Sequence, residues 1–282
     1  MKYPEFSKGT LGLSGRRIAI HIGSHRTGNV SFHDYLAQHC GDPATSPIDA
    51  LYPPLSRRKN AYVGITKLAE NIRQHINLWA ADPILHARPC LISDENCMGS
   101  IAENLIQVTA YKSLGRRLNE LKYAIPPDVE ICLTIRDYTG WWESQILYGL
   151  RYKAGSALTE DQILELVRPT RGWGEIVEDI NEHFPNARLR IWDFKTFAGK
   201  QKDQLESFSN LVEGSSLPVD SFWRNRVRVD MPSHVLDKVR QISPERASVF
   251  RESGHIFYED EILEMRQSYE EALGALHPYM EL

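Results

Sequence analysis

The sequence predicts an α/β fold in three layers (αβα), with a central and mainly parallel sheet between helices. Short apolar runs typical of buried strands alternate along the chain with helical patterns, and this order builds parallel sheets covered on both faces. The chain has 282 residues, of which 42% are hydrophobic, so it can bury a substantial core. We therefore predict a single domain over residues 1–282, with an irregular lead-in at 1–15 and a helical C-terminal part from about 195.

Each element has a local signal. Strands are predicted where a short apolar run is ended by glycine, proline or charged residues: residues 17–22, a short segment ending near Tyr52, 88–93, 129–135 and 188–192. Helices are predicted where apolar residues recur at spacings of three and four: residues 28–40, 61–79, 102–122, 141–152, 173–184 and most of the chain after 195, with breaks at 214–218 and near Pro232.

Composition and charge exclude several classes of protein. The formal net charge of -4 gives no global basic field, so bulk binding to nucleic acid is excluded and any anion must be held locally. No apolar run is long enough to predict a membrane span, and the lead-in lacks the apolar core of a signal peptide, so the cytoplasm is the expected location. The cysteines form no CxxC pair, which favours buried, reduced thiols over disulfides or a metal site: Cys40, Cys90, Cys97 and Cys132.

The segment around the first strand is typical of an anion site. It reads IAIHIGSHRTGNVSF over residues 18–32, with glycines, a cation and small polar residues between a strand and a helix. Glycine lets the backbone approach an anion closely, and the free N–H groups of a helix's first turn favour a phosphate there. Arg26 adds a positive charge, and Thr27 and Ser31 add hydroxyl donors. The alternative is an ordinary loop with a Ser or Thr cap.

This loop differs from that of an ATPase. A Walker A sequence needs Lys and then Ser or Thr directly after its second glycine. Asn29 and Val30 stand there, after Gly28. The hydroxyl that would coordinate Mg²⁺ is therefore missing from its usual place, which argues against hydrolysis of nucleoside triphosphates.

A second candidate anion site follows the strand at 129–135. Arg136 ends that strand, and Ser144 follows eight residues later, in the first turn or so of the next helix. A guanidinium and a hydroxyl in these positions can converge on one anion. The alternative is that Arg136 pairs with Asp137 or Glu143 and that Ser144 faces solvent.

The two junctions together resemble those of sulfotransferases that use 3′-phosphoadenosine 5′-phosphosulfate. Members carry a loop similar to HIGxxKTGTTS, matched here by HIG at 21–23 and RTGNVS at 26–31, and later a strand that ends in Arg with Ser eight residues on. LISDEN at 91–96 resembles an ISSE segment of bacterial members, and Tyr52-Pro53 resembles a YP pair after their second strand. Arg26 replaces the usual Lys, and Asn29 and Val30 replace two threonines. The resemblance covers about residues 17–155 and implies a P-loop nucleoside-triphosphate-hydrolase-like (sulfotransferase) fold.

The resemblance also implies an activity and roles for residues. The reaction would move a sulfuryl group from 3′-phosphoadenosine 5′-phosphosulfate to a hydroxyl or amine of a carbohydrate or small molecule, without a metal, and would leave adenosine 3′,5′-bisphosphate. Arg26 would neutralise the bridging oxygen, and Arg136 with Ser144 would bind the 3′-phosphate. Arg226, in the basic segment 224–228, resembles part of a segment that closes over the nucleotide, with a solvated charge run as the alternative. The 5′-phosphate would be held by the backbone of Thr27, Gly28, Asn29, Val30 and Ser31.

Three side chains are candidates for the base that takes the acceptor's proton. Glu95 is the first, because it follows a strand at the ligand edge, with a surface carboxylate or an ion pair to an arginine as the alternative. His33 is the second, because its spacing from Asn29 directs it toward the site, with a surface or core histidine as the alternative. Asp94 is the third.

Other readings of the sequence remain open at this point. A non-catalytic relative that binds a nucleotide or glycan, and a small-molecule kinase of the same fold, are the alternative functions. The acceptor is expected to contact residues 43–60 and 155–172, which read as variable loops. The chain can be a monomer or a homodimer.

Overall fold

The computed structural model describes residues 18–25, 29–40, 46, 48–53, 64–152, 158–197 and 233–280. In this part of the chain, five strands form one sheet in the order β2-β3-β1-β4-β5, and every neighbouring pair is parallel. The predicted α/β class and its parallel sheet are therefore confirmed, and each observed strand lies within about two residues of its predicted bounds. The strands are β1 (Ile18–His21), β2 (Asp49–Leu51), β3 (Cys90–Ser93), β4 (Glu130–Ile135) and β5 (Arg188–Asp193).

Within the described residues, helices connect the strands and follow β5. The same residues include two short 3₁₀ turns, at Glu95–Cys97 and His277–Tyr279. No helix of the described residues is both long and apolar enough to span a bilayer. The helices are α1 (Asn29–His39), α2 (Ile65–Ala81), α3 (Pro83–His86), α4 (Ile101–Gln107), α5 (Leu114–Leu121), α6 (Tyr138–Tyr152), α7 (Glu160–Val167), α8 (Trp173–His183), α9 (Phe194–Phe197), α10 (Ser233–Ile242), α11 (Pro244–Ser253) and α12 (Glu259–Leu276).

The two faces of the sheet carry separate cores. Ala19, Leu91 and Cys132 face one side, where they form a small apolar cluster with Phe32 and Leu36 of α1. Alternate strand residues face the other side, where they pack into a larger cluster with the remaining long helices. Right-handed crossovers explain this division, because the β1-to-β2 connection runs across the sheet in the direction opposite to all later connections.

The helix predicted over 102–122 is two helices. Between α4 and α5 the chain bends at Val108 and Tyr111, whose φ angles of 48° and 47° are left-handed. The backbone N–H of Tyr111 donates to Asn104 Oδ1 at 2.9 Å, and the Tyr111 ring is fully buried. Tertiary packing therefore overrides the helical pattern at this break, and strained non-glycine backbone of this kind is common near functional sites.

A further correction concerns residues 155–172, which the sequence suggested were a loop around the acceptor. Helix α7 occupies Glu160–Val167. Thr159 and Gln162 form a capping box at its start, with Gln162 N–H donating to Thr159 Oγ1 at 3.3 Å and Thr159 N–H donating to Gln162 Oε1 at 2.9 Å. This stretch is partly regular structure, so the acceptor cannot depend on it as a freely variable loop.

The four cysteines are buried, as predicted, and none of them forms a disulfide in the described residues.

Candidate functional site

Three candidate segments converge at one edge of the sheet. The loops after β1, β3 and β4 leave from the carboxyl ends of adjacent strands, with β1 in the middle. The helix after β1 covers one face, whereas the helices after β3 and β4 cover the other. A crevice forms where connections part to opposite faces in this way, and ligands of open α/β sheets bind there.

The start of the predicted phosphate loop is held firmly against β4. Beyond the end of β1, the N–H of Ile22 donates to Cys132 O at 3.0 Å and that of Ser24 donates to Thr134 O at 3.2 Å. Two aromatic side chains then fix His25, whose N–H donates to Tyr111 Oη and whose carbonyl accepts from Trp141 Nε1, both at 2.9 Å. Residues 22–25 therefore continue alongside β4, in the direction of Arg136.

Part of the predicted phosphate site lies outside the described residues. Arg26, Thr27, Gly28 and Arg226 are among these. Asn29, Val30 and Ser31 form the first turn of α1, although their side chains also lie outside the described residues. The start of α1 at Asn29 agrees with the predicted helix start near Gly28 and brings the N–H groups of its first turn to the carboxyl edge of the sheet.

Arg136 lies directly beyond β4, where it packs against the first turn of α6. Its guanidinium occupies the space beside Gly140, so that a Cβ on that glycine would lie 2.7 Å from Arg136 Nη2 and 2.8 Å from Nε. The guanidinium also lies 5.1 Å from the centre of the Phe194 ring. Burial lowers the pKa of Arg136, but a guanidinium stays charged in proteins, so a fixed and partly buried cation faces the edge.

The sequence left open whether Arg136 pairs with Asp137 or Glu143. Asp137 Oδ2 lies 3.7 Å from Arg136 Nε, and Asp137 Oδ1 accepts the N–H of Gly140 at 2.6 Å as a helix cap. Glu143 is directed elsewhere, because its carboxylate accepts from His255 Nδ1 at 3.1 Å and from Ile256 N–H at 3.0 Å. Asp137 therefore orients the guanidinium, and Glu143 joins α6 to the C-terminal part of the chain.

Ser144 lies on the same face of α6 as Gly140. Because α6 begins at Tyr138 and not at Trp141, Ser144 lies in its second turn, beyond the first-turn position that the sequence suggested. Residues four apart lie on the same face of a helix, so Ser144 lies one turn beyond the glycine against which the Arg136 guanidinium packs. Ser144 is half-buried. Arg136 and Ser144, which the sequence paired by their eight-residue spacing, therefore both lie at the same face of α6.

On the face of the sheet that α1 covers, a network of buried polar side chains crosses β4, β1 and β3. His21 Nδ1 is 2.9 Å from Ser93 Oγ, and His21 Nε2 is 3.1 Å from Thr134 Oγ1. His33 Nε2, on α1, is 2.9 Å from the same Ser93 hydroxyl. All four side chains are at least nine-tenths buried. We call His21, Ser93, Thr134 and His33 the histidine network.

The histidine network ends at Glu95. His33 Nδ1 is 3.8 Å from Glu95 Oε2, and the side chains of His33 and Glu95 are 8% and 17% exposed. An ionised carboxylate only accepts hydrogen bonds. The His33 tautomer with its proton on Nδ1, facing Glu95, allows one order of donors in the network: Thr134 donates to His21, His21 to Ser93, and Ser93 to His33. Two of the three base candidates, Glu95 and His33, are therefore neighbours in the structure.

Burial keeps His21 neutral. Desolvation, with a smaller contribution from nearby His33, lowers the pKa of His21 from 6.5 to about 3. One ring nitrogen of His21 is then a donor and the other an acceptor at any ordinary pH, as the order of donors in the histidine network requires. The His21 ring also contacts the rings of Phe32 and Trp192 at centroid distances of 5.8 and 6.2 Å.

Asp94 has a structural role. Its carboxylate is fully buried and caps the turn at Glu95–Cys97, accepting from Asn96 N–H at 2.9 Å and from Asn96 Nδ2 at 3.1 Å. The buried Arg117 binds the same turn by donating to the carbonyls of Asn96 and Cys97. Asp94 is therefore the weakest of the three base candidates, and it positions its neighbour Glu95.

Reasoning from the sequence missed several residues of this site. His21 and Ser93 occupy register-paired positions on β1 and β3, and Thr134 lies on β4, so their contact depends on a strand order that the sequence does not contain. Gly140 and Tyr111 were also missed. One feature of the sequence does point to this contact. Successive residues of a strand face opposite sides of the sheet, so His21 lies on the same side as Ala19, toward the helix that carries His33.

Comparisons with known proteins give little further guidance. No family model matches the chain, and no curated protein matches it significantly in sequence. Among solved structures, the chain is similar to a crystal structure of a sulfotransferase from Alicyclobacillus acidocaldarius, with 13% sequence identity and a TM-score of 0.37. That match covers 84% of this chain and 95% of the other. With so low a TM-score, the assignment of the fold rests on the sheet order and helix placement described above.

Proposed function

We propose that this protein is a sulfotransferase that uses 3′-phosphoadenosine 5′-phosphosulfate and acts on a hydroxyl or amine of a carbohydrate or small molecule. One observation carries the proposal. Arg136 and Glu95 follow the carboxyl ends of the two strands that flank β1, and each lies near a helical partner, Ser144 for Arg136 and His33 for Glu95.

The Arg136 side binds the donor. The Arg136 guanidinium donates to the 3′-phosphate in a fixed orientation, because Gly140 and Asp137 hold its planar group along α6. Ser144 adds a hydroxyl donor from the next turn of the same helix. The N–H groups of the first turn of α1 bind the 5′-phosphate, with Arg26 balancing negative charge on the bridging oxygen and Arg226 lying over the nucleotide. When bound, the donor supplies an activated sulfuryl group.

The Glu95 side handles the acceptor's proton. Glu95 is the more exposed member of the His33–Glu95 pair, so it is the group that an acceptor hydroxyl can reach. It accepts the proton of that hydroxyl as a general base. His33 acts through Glu95, since its Nδ1–H faces the carboxylate and its Nε2 is held by Ser93. The rest of the histidine network fixes the tautomer and the orientation of His33.

The experiment is transfer of labelled sulfate from the donor to a mixed panel of glycans, phenols and amines, with the wild-type chain and with Glu95→Gln and Arg136→Ala. The proposal predicts transfer by the wild type, loss of turnover with retained nucleotide affinity in Glu95→Gln, and loss of affinity in Arg136→Ala. Binding of adenosine 3′,5′-bisphosphate without transfer to any acceptor would instead identify a non-catalytic relative. Phosphorylation that depends on Mg-ATP would identify a kinase.

A further inference from the structure

Three side chains of types that can bind metals lie together at the opposite end of the sheet from the candidate site. Asp49 and Cys90 are the first residues of β2 and β3 and are directly paired in register. His75, on α2, faces them from the helix layer. One carboxylate oxygen, the thiol sulfur and one imidazole nitrogen all lie within 4.8 Å of one another. An oxygen, a nitrogen and a sulfur donor from three separate elements therefore face a common point.

The bonding of these atoms is incomplete in the protein alone. Asp49 Oδ2 and His75 Nε2 approach to 2.9 Å. Both atoms are withdrawn from solvent, and within the described residues neither has a partner with hydrogen-bond geometry. The ion pair does not supply the hydrogen bonds that these two buried atoms lose to solvent, and their absence is costly. A cation between the two atoms would satisfy both of them and would also bind the neighbouring thiol.

We propose that Asp49, His75 and Cys90 form a zinc site. Carboxylate, imidazole and thiolate are the ligand types that Zn²⁺ takes in proteins. Bond lengths of ~2.0–2.3 Å in tetrahedral geometry place donor atoms ~3.3–3.6 Å apart, which lies between the 2.9 Å that separates Asp49 Oδ2 from His75 Nε2 and the 4.8 Å limit of the group. The three side chains supply three of the four ligands of such a site.

Zinc at this site has a structural role. Strand β2 has three residues and lies at the edge of the sheet. A metal held by Asp49 and Cys90 joins β2 to β3, and His75 joins both to α2. Cys90 binds the metal as a thiolate, so the thiol proton is released to solvent as the Zn–S bond forms. The site lies away from the candidate active site and does not depend on the proposed function.

Cobalt spectroscopy of the whole chain tests the site directly. After treatment with a chelator, Co²⁺ is expected to bind in equal proportion to protein and to give a thiolate-to-cobalt charge-transfer band, which Zn²⁺ then abolishes. Cys90→Ser is expected to lose that band. Cys132→Ser, which removes a buried thiol from β4, is expected to keep it. Absence of the band in the wild type, or an unchanged band in Cys90→Ser, overturns the proposal and leaves a His75–Asp49 ion pair beside a core thiol.

A second readout covers variants that fold poorly. Zn²⁺ is expected to raise the melting temperature of the wild type, because a ligand that binds the native state stabilises it. Asp49→Asn and His75→Ala are expected to lose most of that rise, and an equal rise in all three proteins contradicts the site. Affinity for adenosine 3′,5′-bisphosphate is expected to be the same with and without Zn²⁺, so the zinc site and the proposed function can fail separately.

Discussion

The two faces of the sheet near β1 differ in how they hold polar groups. On the face toward α1, the histidine network is a chain of buried hydrogen bonds in which His21 is kept neutral. On the face toward α6, Arg136 is a permanent cation that is 25% exposed and packs beside a glycine. A buried histidine that stays neutral keeps one donor and one acceptor nitrogen, whereas anion binding needs a charge that a ligand can reach. From the proposed function we therefore expect the Glu95 side to affect turnover and the Arg136 side to affect affinity.

The largest expected effect is on turnover in Glu95→Gln. Removing a general base lowers kcat by ~10²–10⁴-fold, and the amide keeps the size of the side chain. Affinity for adenosine 3′,5′-bisphosphate, measured by calorimetry, is expected to stay unchanged. Asp94→Asn is the matched comparison, since Asp94 serves as a cap; it is expected to lose stability first. Equal loss of affinity and kcat in Glu95→Gln would show that the two sides are not separate.

The next effect is on affinity in Arg136→Ala. Loss of a charged hydrogen bond is expected to weaken binding of adenosine 3′,5′-bisphosphate by ~1.5–3 kcal/mol, while binding of AMP, which lacks the 3′-phosphate, changes little. Arg151→Ala, which removes an exposed arginine near the end of α6, serves as the control. An equal loss for both nucleotides would mean that Arg136 contacts another part of the ligand.

His21 gives a pH-dependent effect on stability. Its folded pKa of about 3 lies below the unfolded value of 6.5, so the unfolded chain binds the proton first and stability falls as the pH drops below 6.5. At pH 5 this amounts to about 2 kcal/mol. Urea unfolding at pH 7.5 and pH 5 is expected to show that much less acid destabilisation in His21→Gln than in the wild type. His86→Gln, in α3, is expected to follow the wild type, and parallel behaviour of all three proteins would show that His21 is not held neutral.

The smallest effect is expected from Ser144→Ala. A neutral hydroxyl hydrogen bond contributes ~0.5–1.5 kcal/mol, so affinity for adenosine 3′,5′-bisphosphate should fall by less than in Arg136→Ala. Gly140→Ala provides a sharper comparison, because a methyl group there would lie within 3.0 Å of the Arg136 guanidinium and must displace it. Calorimetry is expected to give Gly140→Ala a larger loss than Ser144→Ala. The reverse order would place the bound phosphate away from the guanidinium.

Local signals in the sequence were sufficient for the strands and for the position of Arg136 at the end of one of them. The run VEICLTI at 129–135 predicts β4 because it is apolar and ends at a charge, and Arg136 is assigned to the ligand edge for the same reason. The capping residues Thr159 and Gln162 are a local signal of the same kind for α7. All of these features depend on residues that are close together in the sequence.

Features that depend on tertiary contacts could not be predicted. The break in the helix at 102–122 exists because Asn104 and a buried environment hold Tyr111 in a left-handed conformation. Contact between His21 and Thr134 requires β1 to lie beside β4, and the Asp49, His75 and Cys90 cluster requires β2, β3 and α2 to meet at one end. Nothing in the spacing of these residues along the chain indicates either contact.

Calorimetry of the wild-type chain with adenosine 3′,5′-bisphosphate and with AMP tests the central claim most directly, because the two nucleotides differ by the 3′-phosphate alone. If Arg136 and Ser144 bind that phosphate, the bisphosphate binds ~10–150-fold more tightly, the equivalent of one charged hydrogen bond. Equal affinity for the two nucleotides would contradict the assignment of this edge of the sheet to a 3′-phosphorylated donor.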